Sequence, residues 1–185
     1  MTSYGHINDD KALCFTRILP GPIERVWAFI TEEDKRAKWL AAGKTGTAAG
    51  ETIEFRFNHD DLTPHKEEAP EGSCGDEGTA FDGTVKAFDP PHHLAFTWPE
   101  RNGGETYVDI RLSEMEDGRV QLDLKHSGIL TRSDLLGASG GWHTHLDILE
   151  AHLAGQIPAP FWSTHQAKEM EYGTLFTGQL SGFED

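Results

Sequence analysis

"GGWHTHLDILEAHLAG", residues 140–155, is the stretch that decides the fold. Wound as a helix at 100° per residue, it brings Trp142, Leu146, Leu149 and Leu153 onto one stripe, the pattern of a helix packed on a core. Its three histidines make no metal motif. His143 and His145 diverge by roughly 200° on a helix and cannot ligate one ion. His145 and His152 stand about 10 Å apart along the axis, whereas each metal ligand must come within about 2 Å. The spacing therefore predicts a core helix over 142–153. His143 is expected on a solvated outer face with Asp147 and Glu150, and His145 and His152 are expected to border the apolar stripe. Gly140 and Gly141, each roughly 1 kcal/mol less favourable in a helix than Ala, point to close packing or a kink.

Such a helix needs a surface to cover, and the upstream sequence supplies a sheet. From residue 51 the apolar period becomes two. "ETIEFRFN" puts Ile53, Phe55 and Phe57 on one face, "HLAFTW" alternates Leu94, Phe96 and Trp98, and "TYVDIRL" alternates Val108, Ile110 and Leu112. "RVQLDLKH" continues with Val120, Leu122 and Leu124, then His126 on the same side, and "EDG" at 116–118 is a tight hairpin signal. With "GTAFDGTVKAF", ended by "DPP", these strands read as an antiparallel meander with one buried face. "ALCFTRIL" (12–19) is an earlier strand stopped by "PGP". "PIERVWAFI" follows as a helix with Ile23, Val26, Trp27 and Ile30 on one face, and "TEEDKRAKWL" as a short helix capped by Thr31, with Lys35, Arg36 and Lys38 toward its negative end.

The chain has 185 residues with a formal net charge of −15. That length suits a single domain with a real core, and that charge repels phosphate backbones and anionic lipid, so nucleic-acid and membrane partners are not expected. Cys14 and Cys74 fall in no metal or redox spacing, and no stretch reaches membrane-span length, so the expected location is the cytoplasm, with reduced thiols. Residues 59–78 hold seven acidic residues against one lysine and read as a solvated acidic loop; the alternative is a lid or metal loop using "HDD" and His65. Adjacent His92 and His93 diverge on a strand, and no base accompanies Cys14 as a nucleophile. "RNGGET" (101–106) reads as a hairpin turn. No cofactor or metal motif is present. The tail carries "PAPFW" and a helix at about 164–176, whose Met170 and Leu175, with Phe161 and Trp162, serve either docking on the domain or a homodimer.

Four passages in order, Pro22–Trp27 with Trp39, Gly83–Trp98, Leu124–Ile129 and Trp142–Gly155, make the chain resemble the activator of heat-shock-protein-ninety ATPase homologue family of the START-like superfamily. The resemblance spans about residues 13–155. It implies an α+β helix-grip fold, a curved antiparallel sheet wrapped around a long C-terminal helix with a cavity between them. The expected domain is residues 1–185, with a core at about 12–155, the acidic loop 59–78 and a C-terminal extension 156–185. The family is named for co-chaperones with an additional chaperone-binding domain, which is not expected within these 185 residues. It lends no catalytic motif.

The expected function is binding of a small apolar molecule by Phe55, Phe57, Phe96, Trp98, Trp142 and Leu149, with His126 and His145 as polar points. The alternatives are a cyclase- or hydrolase-type enzyme using His126 or His145 as acid–base, and a chaperone-regulating module.

Overall fold

The computed structural model describes residues 4–70, 79–99 and 104–185. Seven antiparallel strands form one curved sheet: β1 His6–Ile7, β2 Leu13–Leu19, β3 Thr52–Arg56, β4 Ala80–Asp89, β5 His93–Pro99, β6 Glu105–Glu114 and β7 Val120–Ser127. Their spatial order is β1-β2-β7-β6-β5-β4-β3, so the meander β3 to β7 is extended by β2 pairing with the last strand. The period-two reading holds in β7, which alternates buried Val120, Leu122, Leu124 and His126 with partly exposed neighbours, whereas in β5 Thr97 is buried beside Phe96 and Trp98 is only partly buried. A register shift between Val85 and Ala87 interrupts the β4–β5 ladder; bulges of this kind bend a sheet locally.

The helix α1, Ile23–Thr31, buries Ile23, Val26, Trp27 and Ile30 as its periodicity requires. The next helix, α2, is one turn, Glu33–Arg36. Thr31 does not cap it; its hydroxyl donates back to the Trp27 carbonyl at 2.9 Å. Arg36 does stand in the last turn of α2, but it is buried there. It is 1% exposed and donates to the carbonyls of Ala41, Gly43 and Glu54 and to the Thr45 hydroxyl, with its guanidinium 4.9 Å over the Phe55 ring. Burial lowers its pKa to about 10, so it remains a cation, held by carbonyl dipoles rather than by a carboxylate.

The long helix, α3, runs Arg132–Leu153, ten residues longer at its start than the apolar stripe indicates. Its N-terminus is fixed by Thr131, whose hydroxyl oxygen accepts from the Asp134 N–H at 3.1 Å and whose proton goes to the Asp134 carboxylate at 2.6 Å. It ends before Gly155, whose φ of +67° reverses the chain. A second helix, α4, Phe161–Leu175, lies against α3. Their contact is close at Gly140, where a Cβ would stand 3.2 Å from the Glu169 nitrogen and the His165 carbonyl oxygen. Close packing, rather than a kink, thus accounts for that glycine.

Two expectations about exposure are corrected by α4. His143 is not on a solvated face: it is fully buried, with Nδ1 2.8 Å from the Tyr172 hydroxyl and Nε2 3.4 Å from Asp147. Residues 59–70 are not simply a solvated excursion. Leu62 and Thr63 are buried, and Glu67 accepts from the N–H groups of Trp162 and Ser163 at 2.8 and 3.3 Å, capping α4. That carboxylate explains why α4 starts at Phe161, earlier than propensity suggests. Residues 71–78, with Cys74, and residues 101–103 of the expected hairpin lie outside the described residues. Phe161 and Trp162 are buried within the chain, while Met170 and Leu175 are exposed.

Candidate functional site

Between the sheet, α3 and α4 lies a cleft of about 720 Å³. Its inner wall comes from Phe57, Phe81, Trp98 and Trp142, and its outer wall from Phe161 and Trp162. The rings are in mutual contact: Trp98 lies 5.3 Å from Trp142 and 4.8 Å from Phe81, and Phe161 lies 4.9 Å from Trp162. Four of the chain's ten histidines line the same space: His59, His126, His145 and His165.

Of the residues expected from sequence, Phe57, Trp98, His126, Trp142 and His145 line the cleft. Phe55, Phe96 and Leu149 do not; they are fully buried in the core behind it. Phe55 supports the wall through contacts with Phe57 at 6.2 Å and Trp98 at 5.1 Å. His59, Phe81, Phe161, Trp162 and His165 line the cleft beyond the expected set. Their sequence signals are the "HDD" of the lid-loop alternative and the "PAPFW" pair of aromatics; nothing local announces that 161–165 returns to face 57–59.

His126 is 2% exposed, and its hydrogen bonds determine its tautomer. The Trp142 indole N–H can only donate, so at 3.1 Å it makes His126 Nδ1 the acceptor. Nε2 then carries the proton and donates to the Thr106 hydroxyl at 2.7 Å, which passes its own proton to the Trp98 carbonyl at 2.9 Å. Both ring nitrogens are used, and the chain fixes Trp142 and strands β5 and β6 relative to one another. Burial lowers the His126 pKa to about 3, so the ring stays neutral and the chain intact at neutral pH.

His145 is wired differently. Its Nδ1 lies 2.6 Å from the Trp39 carbonyl oxygen, which can only accept, so Nδ1 holds the proton. Burial, followed by the neighbouring His59, lowers its pKa to about 3 and keeps the ring neutral. His59 stacks on Phe161 at 4.4 Å, stands 5.7 Å from His145, and is itself lowered to about 4 by burial and His165. His165 is lowered too, first by burial.

Among the described residues, no group of three or more histidine, cysteine or acidic side chains is placed to hold a metal ion. His65 stands apart from the cleft lining; its backbone N–H donates to the Thr63 hydroxyl. His93 pairs with Asp109 at 2.8 Å and His92 lies 3.3 Å from the Leu112 carbonyl. Burial raises the Cys14 thiol above its ordinary range, which suits a nucleophile poorly. No described helix is long and apolar enough to cross a membrane.

A curved antiparallel sheet gripping a long C-terminal helix, with an aromatic cleft along that helix, defines the START-like helix-grip class. Within that class the chain belongs to the family described as activator of Hsp90 ATPase homolog 1-like protein, which matches residues 20–154. The solution structure of the protein encoded by gene BPP1335 from Bordetella parapertussis is similar at 40% identity and a TM-score of 0.78, covering 91% of this chain and 88% of that one. CalU16 from Micromonospora echinospora shares the fold at 18% identity and a TM-score of 0.63, covering 94% and 95%. Protein MLL2253 from Mesorhizobium loti does so at 21% identity and a TM-score of 0.61, covering 78% and 97%. No curated protein matches the chain.

Proposed function

We propose that this protein binds a small, largely apolar molecule in the cleft between the sheet, α3 and α4. The observation that carries this reading is the lining: a concavity of about 720 Å³ with six aromatic side chains and a few polar atoms, within the size range of roughly 300–1,000 Å³ typical of small-molecule sites. A ligand seated there would bury apolar surface against Trp98, Trp142 and Phe161. The family supports the same coarse function.

An enzymatic reading finds less support. Acid–base catalysis at His126 needs a free nitrogen, and both are engaged. His145 keeps one, but its Nδ1 faces a backbone carbonyl rather than an orienting carboxylate.

The test is a pair of mass spectra, native and denaturing, of one purified preparation. The expected native mass exceeds the chain mass by a reproducible organic species that denaturation releases and that Trp98→Ala no longer retains. A bare native mass in the wild type, together with no uptake of added apolar probes, would remove the proposal.

A further inference from the structure

The polar atoms of the cleft differ in what they still offer: the buried Trp162 indole N–H is a donor without an acceptor, and the half-exposed His59 ring, with no hydrogen-bond partner among the described residues, is open to solvent. His126 has no free nitrogen. His145 has one: Nδ1 donates to the Trp39 carbonyl, which leaves Nε2 as a lone-pair acceptor with no partner among the described residues. The ring is 94% buried by its 6% exposure and lines the cleft. An imidazole's two nitrogens point to opposite sides of the ring, so fixing Nδ1 on Trp39 also fixes the direction of Nε2. The charged residues among the described lining are Asp134 and Glu169, both acidic; lysine and arginine are missing from it. A carboxylate ligand would therefore enter with no cation to meet it and two like charges nearby.

We infer that His145 Nε2 is the specificity-determining acceptor of the cleft, and that the ligand is an uncharged, mostly apolar molecule carrying a hydroxyl or N–H that donates to it. This rests on the ligand-binding reading above and narrows it to a chemical class. The acceptor exists only as long as the ring is neutral, and burial favours that state strongly. An apolar ligand lacking a donor would leave Nε2 desolvated and unpaired, a cost of the order that decides between close analogues, about tenfold in affinity.

Three probes of one skeleton test this by equilibrium dialysis: 2-naphthol, which donates; 2-methoxynaphthalene, which does not; and 2-naphthoate, which is anionic. The quantity read is the ratio of the methoxy to the hydroxyl dissociation constant. It is expected to fall about tenfold from the wild type to His145→Phe, and to stay within about threefold in His145→Gln, which retains a side-chain acceptor. 2-Naphthoate is expected to bind weakest to the wild type. An unchanged ratio in a folded His145→Phe, or tightest binding of 2-naphthoate, would overturn the inference while leaving the cleft a binding site. Failure of all three probes to bind would overturn the ligand-binding reading as well.

Should His145→Phe not fold, nitrogen NMR of the wild-type imidazole decides. The Nε2 resonance is expected to move on adding 2-naphthol and to move far less with 2-methoxynaphthalene. Equal movement would overturn the inference.

Discussion

On one side of the cleft, Trp98, His126 and Trp142 stand on strands and a helix whose apolar periodicity runs unbroken from β5 to α3. On the other, His59, Phe161, Trp162 and His165 come from a loop and from α4, joined through Glu67 across 95 residues of chain. The inner side is an exposed edge of the main core, so its rings are held by everything the fold needs anyway. The outer side shares in that core through Phe161, Trp162, Tyr172 and Phe176, and is tied down further by the Glu67 cap, the close approach at Gly140, and the Tyr172 hydroxyl that meets His143 and accepts from the Gly5 N–H at 2.7 Å. The family match ends at residue 154, before α4 begins. In the proposed binding site the outer wall can change, and the preference with it, with less disturbance of the core than the inner wall.

Acid is the strongest lever on both sides at once. His126 and His145 on the inner side are lowered to about 3, and His59 on the outer side to about 4. Their folded pKa values lie below the unfolded value of roughly 6.5, so the unfolded chain binds protons first. Stability is thus fully present above about pH 6.5 and is lost as pH falls toward 4, by up to about 1.4 kcal/mol per pH unit for each histidine. Urea unfolding at successive pH values is expected to show this slope across the window. Spectral changes at the outer wall that precede loss of the sheet would sharpen the contrast; simultaneous loss would erase it.

Substitution separates the sides more cleanly. Trp142→Ala removes a buried indole and leaves His126 Nδ1 without its donor, and is expected to cost about 3–5 kcal/mol in urea unfolding at neutral pH. A cost near 1 kcal/mol would mean that the inner wall is not continuous with the core.

The same division separates what the sequence revealed from what it hid. The sheet, α1 and the inner stripe of α3 follow from periodicity, because each buried face there is a local property of its own segment. The start of α3 is hidden behind Gly137, Gly140 and Gly141, whose helix propensity is low; of the three only Gly140 gives α4 needed room, and the Thr131–Asp134 cap is the signal available. His143 lay beyond local reasoning, since its burial depends on Tyr172, 29 residues on. Arg36 shows the same limit, because carbonyl partners carry no sequence signature. Placing Phe55 and Phe96 behind the cleft rather than in it needed the depth of the sheet, which alternation alone does not give.

The smallest expected effect sharpens the comparison furthest. Glu67 links the acidic loop to α4 by accepting the free N–H groups of the first helical turn, where a negative charge also meets the positive end of the helix. Glu67→Ala is expected to cost about 1–2 kcal/mol, the usual worth of a lost N-terminal cap. The more telling measurement is hydrogen exchange. The amides of 161–164 should exchange faster, while those of β6 and β7 keep their protection, because the outer wall can loosen without the core unfolding. Equal acceleration in both places would make α4 part of the same cooperative unit as the sheet. The outer wall would then be no freer to change than the inner one.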